Sequence, residues 1–278
     1  MTNATAAAPI RTVGVIGAGR MGRPIIGHMA RRGFTVVVHD IDEGKREAVA
    51  KLGAAWADSP TALARALDAV LVCVGYDREL RDLMSAGGLL RDLPRGTIVA
   101  VLSTVHPRTV QELAEDAMAS GVHVVDSTVC RGARAAEEGT LLSFVGGDAH
   151  VVERLKPVLA CYSTDIIHTG GVGTAQVAKA ANNLVMWSCL VADHEALALA
   201  KRFGMDVEIL REALLKSSAE NYVLRHWGKN TMAWAEDDME IVQKMADQVG
   251  VGLPQAGLNR ELCRTLKPKR FRLDEYGV

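Results

Sequence analysis

From Thr12 onward, short β-branched runs alternate with stretches whose apolar positions recur every three to four residues. Thr12–Ile16, Thr35–His39, Ala69–Val74, Thr97–Leu102, His123–Val129 and Leu142–Val145 read as strands, and Asp165–His168, stopped by Gly170 and Gly171, as one more. Between them Met21–Arg32, Gly44–Lys51, Pro60–Ala66, Pro107–Ala119 and Ala149–Leu159 carry the helical spacing. Strands alternating with helices predict βαβ units and a mostly parallel sheet, an α/β fold of Rossmann type. After Gly173 the strand pattern stops. Thr174 to about Phe203 holds no proline and no interior glycine, which predicts a helix of roughly 30 residues, about 45 Å long. Val207–Leu215 and Glu236–Val249 follow as helices, with Leu258–Thr265 a weaker last one. The chain therefore divides into an α/β domain over residues 1–170 and an all-α domain over 171–278, entered through the long helix. The start, MTNATAAAPI, reads as a disordered lead, and the tail KPKRFRLDEYGV as polar and loosely held.

Composition narrows the function classes. Hydrophobic residues make up 49% of the 278 positions and charged ones 23%, an ordinary globular balance. A net charge of −1 and 4% aromatics give no support for nucleic acid or an anionic membrane as partner. The longest apolar run, Leu184–Ala192, is too short to span a bilayer. Cys73, Cys130, Cys161, Cys189 and Cys263 form no CxxC pair, and their odd number and wide spacing suit a reducing cytoplasm. His106, His123, His168 and His194 lack metal-ligand spacing, so no metal is expected.

The first chemistry lies in VGVIGAGRMGRPI, where Gly17, Gly19 and Gly22 stand in GxGxxG spacing between a strand and a helix. Gly17 suits a tight turn, Gly19 the close approach of a pyrophosphate, and Gly22 close packing of helix on strand. Arg20 and Met21 lie in the same turn and join the cofactor-binding candidates. The helix N-terminus offers free N–H groups to the diphosphate. Asp40 ends the second strand 23 residues after Gly17, where a carboxylate accepts from adenosine ribose hydroxyls and repels a 2′-phosphate. NAD is therefore the expected cofactor, ahead of NADP. Ser103 and Thr104, at the end of another strand, are candidates to contact the nicotinamide or its ribose, or else form a structural turn.

Four blocks in order, GVIGAGRMGRPI, STVHP, DSTVCRGARAAEEGTLLSFVGG and GGVGTAQVAKAANNLV, together resemble the β-hydroxyacid dehydrogenases, the family of 3-hydroxyisobutyrate dehydrogenase and tartronate semialdehyde reductase. The resemblance spans about residues 12–255. It implies NAD(P)-linked interconversion of a β-hydroxy acid and its aldehyde or ketone by a cytoplasmic dimer or tetramer. Lys179 matches the family's catalytic lysine and Asn183 its substrate-orienting asparagine. Their spacing agrees, because residues i and i+4 share one helix face. Alanines and valines around Lys179, and a positive nicotinamide, would lower its pKa and suit it to proton exchange.

The chain also departs from the family. Where members read D-A-P-V-S-G-G, Asp126 to Gly132 read D-S-T-V-C-R-G, so Cys130 and Arg131 replace a serine and a glycine. Cys130, Arg131 and Gly132 remain the substrate-binding candidates. Arg131 offers a planar fork to an anionic substrate, or else faces solvent or makes a subunit salt bridge. In AEDDMEIV, Glu236 or Asp237 stands where members carry a late active-site lysine. An imine-reductase-like enzyme of the same fold, or an inactive NAD-binding protein, are the alternatives. Apolar Leu184, Val185, Leu190, Leu197 and Leu199 on the long helix imply a buried face in a homo-oligomer.

Overall fold

The computed structural model describes residues 9–75, 77–86, 88–229 and 231–276. The lead expected over residues 1–8 lies outside the described residues. Eight strands form one sheet: β1 (Thr12–Ile16), β2 (Thr35–His39), β3 (Ala55–Trp56), β4 (Ala69–Val72), β5 (Ile98–Val101), β6 (His123–Cys130), β7 (Leu141–Gly146) and β8 (Ser163–Gly170). Their order is β3-β2-β1-β4-β5-β6-β7-β8. All neighbours run parallel except β6 and β7, whose register places Asp126 opposite Gly146. The chain order reverses between β1 and β4, and the crevice beyond their carboxyl ends is the place where such sheets bind ligands.

Both faces of the sheet are covered, as the apolar strands require. In β4, Ala69 and Leu71 join one buried cluster, with Val13, Ile25, Met29 and Val36, while Val70 and Val72 join the other, with Ile16, Leu80, Val99 and Leu113. The covering helices are α1 (Gly22–Arg31), α2 (Arg46–Lys51), α3 (Pro60–Leu63), α4 (Asp77–Arg81), α5 (Leu89–Asp92), α6 (Pro107–Ser120), α7 (Gly132–Glu138) and α8 (Ala149–Leu159). The pattern misses β3, α4, α5 and α7, because two to seven residues are too few to display a period.

The long helix is α9 (Thr174–Arg202), followed by α10 (Val207–Leu214), α11 (Tyr222–Arg225), α12 (Ala235–Val249) and α13 (Pro254–Leu266). By their contacts, two compact units divide between Lys179 and Ala180. The start of α9 belongs to the sheet unit because its first turn is hydrogen-bonded to strand ends, as shown below.

In the helical unit, Trp187, Leu190 and Val191 pack with Met239, Val242, Cys263 and Leu266. Trp187 Nε1 donates to Asp238 Oδ2 at 2.9 Å. Leu190 and Leu197 are fully buried there, so of the apolar residues expected to face a partner only Val185 and Leu199 are well exposed. The tail is not loose. Phe271 N–H donates to His194 Nε2 at 2.9 Å, and Tyr276 Oη donates to Glu195 Oε1 at 2.9 Å. His194 thus carries its proton on Nδ1, which donates to Leu190 O at 2.7 Å. Burial holds this imidazole below its ordinary pKa and so keeps it neutral.

Candidate active site

The glycine-rich turn is built for close approach. Gly17 has φ +100°, and a Cβ there would stand 2.2 Å from Cys73 O. A Cβ on Gly22 would lie 2.0 Å from Gly17 O, whereas one on Gly19 would meet nothing within 4 Å. The turn is closed by Gly17 N–H donating to His39 O at 2.9 Å. Burial pushes the Cys73 thiol beneath it up to about 11. No side chain caps α1 and its first turn carries no acid. Arg23 N–H is spent on Gly19 O at 3.0 Å and Pro24 has no N–H, so the place for an anion is the Gly19–Met21 turn that leads into α1, where the open space over Gly19 fits a dinucleotide's pyrophosphate. Arg20 is exposed beside that space, while Met21 packs into the core beneath.

Asp40 is buried and already well supplied with donors. Its Oδ2 accepts from Ala18 N–H at 2.7 Å and its Oδ1 from Asp42 N–H at 2.9 Å. Lys45 Nζ donates to both oxygens at 3.0 Å. Burial alone raises the carboxyl's pKa. The N–H groups of Asp42 and Ala18, with the Lys45 ammonium, outweigh it and hold Asp40 below its ordinary value. Sequence reasoning missed Lys45, although a lysine five residues after the strand-end acid was a visible signal.

Ser103 stands in a structural turn, one of its two expected roles. Its Oγ accepts from Val74 N–H at 2.9 Å and donates to Val74 O at 2.8 Å, which ties the segment after β5 to the segment after β4. Thr104, next to it, is half-buried.

Lys179 sits in the second turn of α9. Its Nζ donates to Val129 O at 2.8 Å and lies 3.9 Å from Cys130 Sγ. The strand that ends in the expected substrate loop therefore meets the expected proton donor. Beneath them Asp126 is fully buried, with Oδ1 accepting from Gly173 N–H at 2.8 Å and Oδ2 from Gln176 N–H at 2.9 Å. Burial pushes this carboxyl above its ordinary pKa, partly offset by those donors. Thr128 Oγ1 donates to Ala175 O at 3.0 Å.

Arg131 is held within the sheet unit. Its guanidinium donates to Thr140 O at 3.0 Å and Thr164 Oγ1 at 2.9 Å and forms an ion pair with Asp165 at 2.7 Å. The fork expected to meet a substrate anion is thus engaged by β8. The backbone keeps what the family's glycine would give, φ +82° at Arg131 and +76° at Gly132.

In the helical unit Asn183 is buried, and its Oδ1 accepts from Asn182 Nδ2 at 3.1 Å. At the start of α12, Asp237 is exposed and Glu236 pairs with Lys267 at 3.2 Å, so a lysine distant in sequence brings a cation to that helix end.

Residues 12–171 match the family model described as the NAD binding domain of 6-phosphogluconate dehydrogenase. Residues 173–274 match the one described as NAD-binding of NADP-dependent 3-hydroxyisobutyrate dehydrogenase. The 2-(hydroxymethyl)glutarate dehydrogenase of Eubacterium barkeri is 32% identical over 213 residues, 76% of this chain and 71% of that one. The NAD-dependent L-serine dehydrogenase of Pseudomonas aeruginosa is 29% identical over 287 residues, covering 97% and 96%. Among solved structures, 3-hydroxyisobutyrate dehydrogenase of Mycobacterium tuberculosis with L-serine shares the fold, with a TM-score of 0.85 at 23% identity over 94% of this chain and 95% of that one.

Proposed function

The chain belongs to the β-hydroxyacid dehydrogenase family of NAD(P)-linked oxidoreductases, and we propose that its substrate is an acid with a hydroxymethyl group on the carbon next to the carboxylate. The named substrates of its relatives, L-serine and 2-(hydroxymethyl)glutarate, share that unit. The observation that carries the reading is the Lys179 ammonium, held 2.8 Å from Val129 O at the mouth of the 130–132 loop. Lys179 takes the hydroxyl proton as a neutral amine when the alcohol is oxidised, and returns it as the ammonium in reduction. The nicotinamide, when bound, supplies or accepts the hydride. The main chain of Cys130, Arg131 and Gly132 receives the carboxylate, and Asn183 orients the hydroxyl-bearing carbon. Lysine in this place favours hydroxyl chemistry over imine reduction. Action in the cytoplasm as a dimer or tetramer completes the reading, supported by the wide spacing of the cysteines and by exposed Val185, Leu199, Phe203 and Ile209.

Turnover of 3-hydroxyisobutyrate, L-serine and 2-(hydroxymethyl)glutarate with NAD⁺ tests it. At least one is oxidised, and failure of all three would refute the substrate class. Cofactor choice follows from Asp40, whose ionised carboxylate accepts from a ribose diol and repels a 2′-phosphate. One charged hydrogen bond is worth about 1.5–3 kcal/mol, or roughly 10–150-fold. The specificity constant for NADH is expected to exceed that for NADPH by about that factor, and Asp40→Ala to narrow the gap. Equal use of both cofactors by the unmodified enzyme would count against this role.

A further inference from the structure

Gln176 lies three residues before Lys179 on α9 and is 1% exposed. Both ends of its side-chain amide are spent on one distant segment of main chain. Oε1 accepts from Val105 N–H at 3.0 Å, and Nε2 donates to Ser103 O at 2.8 Å. Its own backbone N–H donates to Asp126, so one residue is tied both to the segment after β5 and to the middle of β6. Ser103 passes the connection on, since its hydroxyl clamps Val74 beyond β4. The segments after β4 and β5, the middle of β6 and the first turn of α9, one turn before Lys179, thus form one hydrogen-bonded set.

Docking alone does not call for this amide. Asp126 already holds the first turn of α9 through Gly173 and Gln176, and Thr128 holds it through Ala175. What Gln176 adds is a two-point grip on residues 103–105, which flank Thr104. Buried polar groups persist where their partners are fixed, and two such bonds fix direction as well as distance. A misplacement of about 1 Å at a reacting group can cost a hundredfold in rate.

We propose that Gln176 is a positioning residue: its amide holds the 103–105 segment at the cofactor crevice in one fixed register with the Lys179-bearing turn. The proposal rests on the reading of Lys179 as the proton-transfer group. In Gln176→Met the volume stays and both side-chain bonds go. In Gln176→Glu the shape stays and the acceptor for Val105 N–H remains. The bond to Ser103 O then survives only while the introduced carboxyl is protonated. The charged and titratable groups around it are Asp126 and Lys179, with His106 and Asp77 beyond Val105, where Asp77 Oδ1 accepts from His106 N–H at 3.2 Å. Burial and the Asp126 carboxylate both raise the pKa of an acid placed there.

Two measurements on the full chain test this. Without substrate, the Val105 amide is expected to exchange with deuterium at least about tenfold faster in Gln176→Met, while amides of β1 keep their rates. With NAD⁺ and the three acids named above, Gln176→Met is expected to lower kcat by about 10–100-fold with the KM for NAD⁺ unchanged. The ratio of Gln176→Glu to unmodified kcat is expected to fall as pH rises through the introduced carboxyl's pKa. Unchanged exchange at Val105 overturns the proposal, and so does a Gln176→Met enzyme of normal kcat beside a flat ratio for Gln176→Glu. If the unmodified chain oxidises none of the acids while Val105 exchange responds, the brace stands and the functional reading falls.

Discussion

Lys179→Ala is expected to lower kcat by about 10²–10⁴-fold, the usual size of a general acid–base contribution. The ammonium is the group that Val129 O holds at 2.8 Å beside Cys130, and alanine leaves nothing there to exchange a proton with the reacting oxygen. NADH binding, followed by its fluorescence, changes little, because the pyrophosphate and ribose contacts lie on the glycine turn and Asp40. Lys179→Arg sharpens the test. It restores a positive charge, but a guanidinium gives up no proton in this pH range, so activity stays low. If either variant keeps near-normal turnover, Lys179 is not the proton-transfer group.

Gly22→Ala is expected to damage both fold and binding. The added Cβ would sit 2.0 Å from Gly17 O, a backbone atom that cannot rotate aside. Either α1 lifts from the turn or the turn opens, and forced overpacking typically costs about 1–3 kcal/mol. Both movements displace the Gly19–Met21 turn from the pyrophosphate. NADH affinity is expected to fall by about 10²–10⁴-fold, the loss of two charged hydrogen bonds. The control is Gly19→Ala, whose Cβ meets nothing within 4 Å. That variant keeps its thermal stability and loses affinity only because the methyl occupies the cofactor's approach. Calorimetry and NADH titration of both separate the effects, and equal stability losses at the two positions would contradict this division of labour.

How much was legible in the sequence depended on how local the cause is. The helix Ala149–Leu159 and the strands Thr12–Ile16 and Thr35–His39 stand as their patterns predict, because each displays its own period or run. The GxGxxG turn was legible for the same reason, since its requirements lie within six residues. Partners far apart in sequence were not. Gln176 bonds Ser103 across 73 positions, and no pattern in either segment announces the other. Ser103 looked like a cofactor contact from its strand-end position, and only the fold shows its hydroxyl consumed by Val74. Arg131 was read from charge alone, and its choice of Asp165 depends on β8 lying alongside β7.

The most direct test of the account follows the hydrogen that moves. 3-Hydroxyisobutyrate, L-serine and 2-(hydroxymethyl)glutarate, each deuterated on the hydroxymethyl carbon, are incubated with NAD⁺ and the full chain, and the reduced cofactor is weighed by mass spectrometry. The account predicts one deuterium per reduced cofactor from at least one acid, at a rate slower than with the unlabelled acid. Reduced cofactor without label, or no reduction from any of the three by a chain that binds NADH, would contradict it.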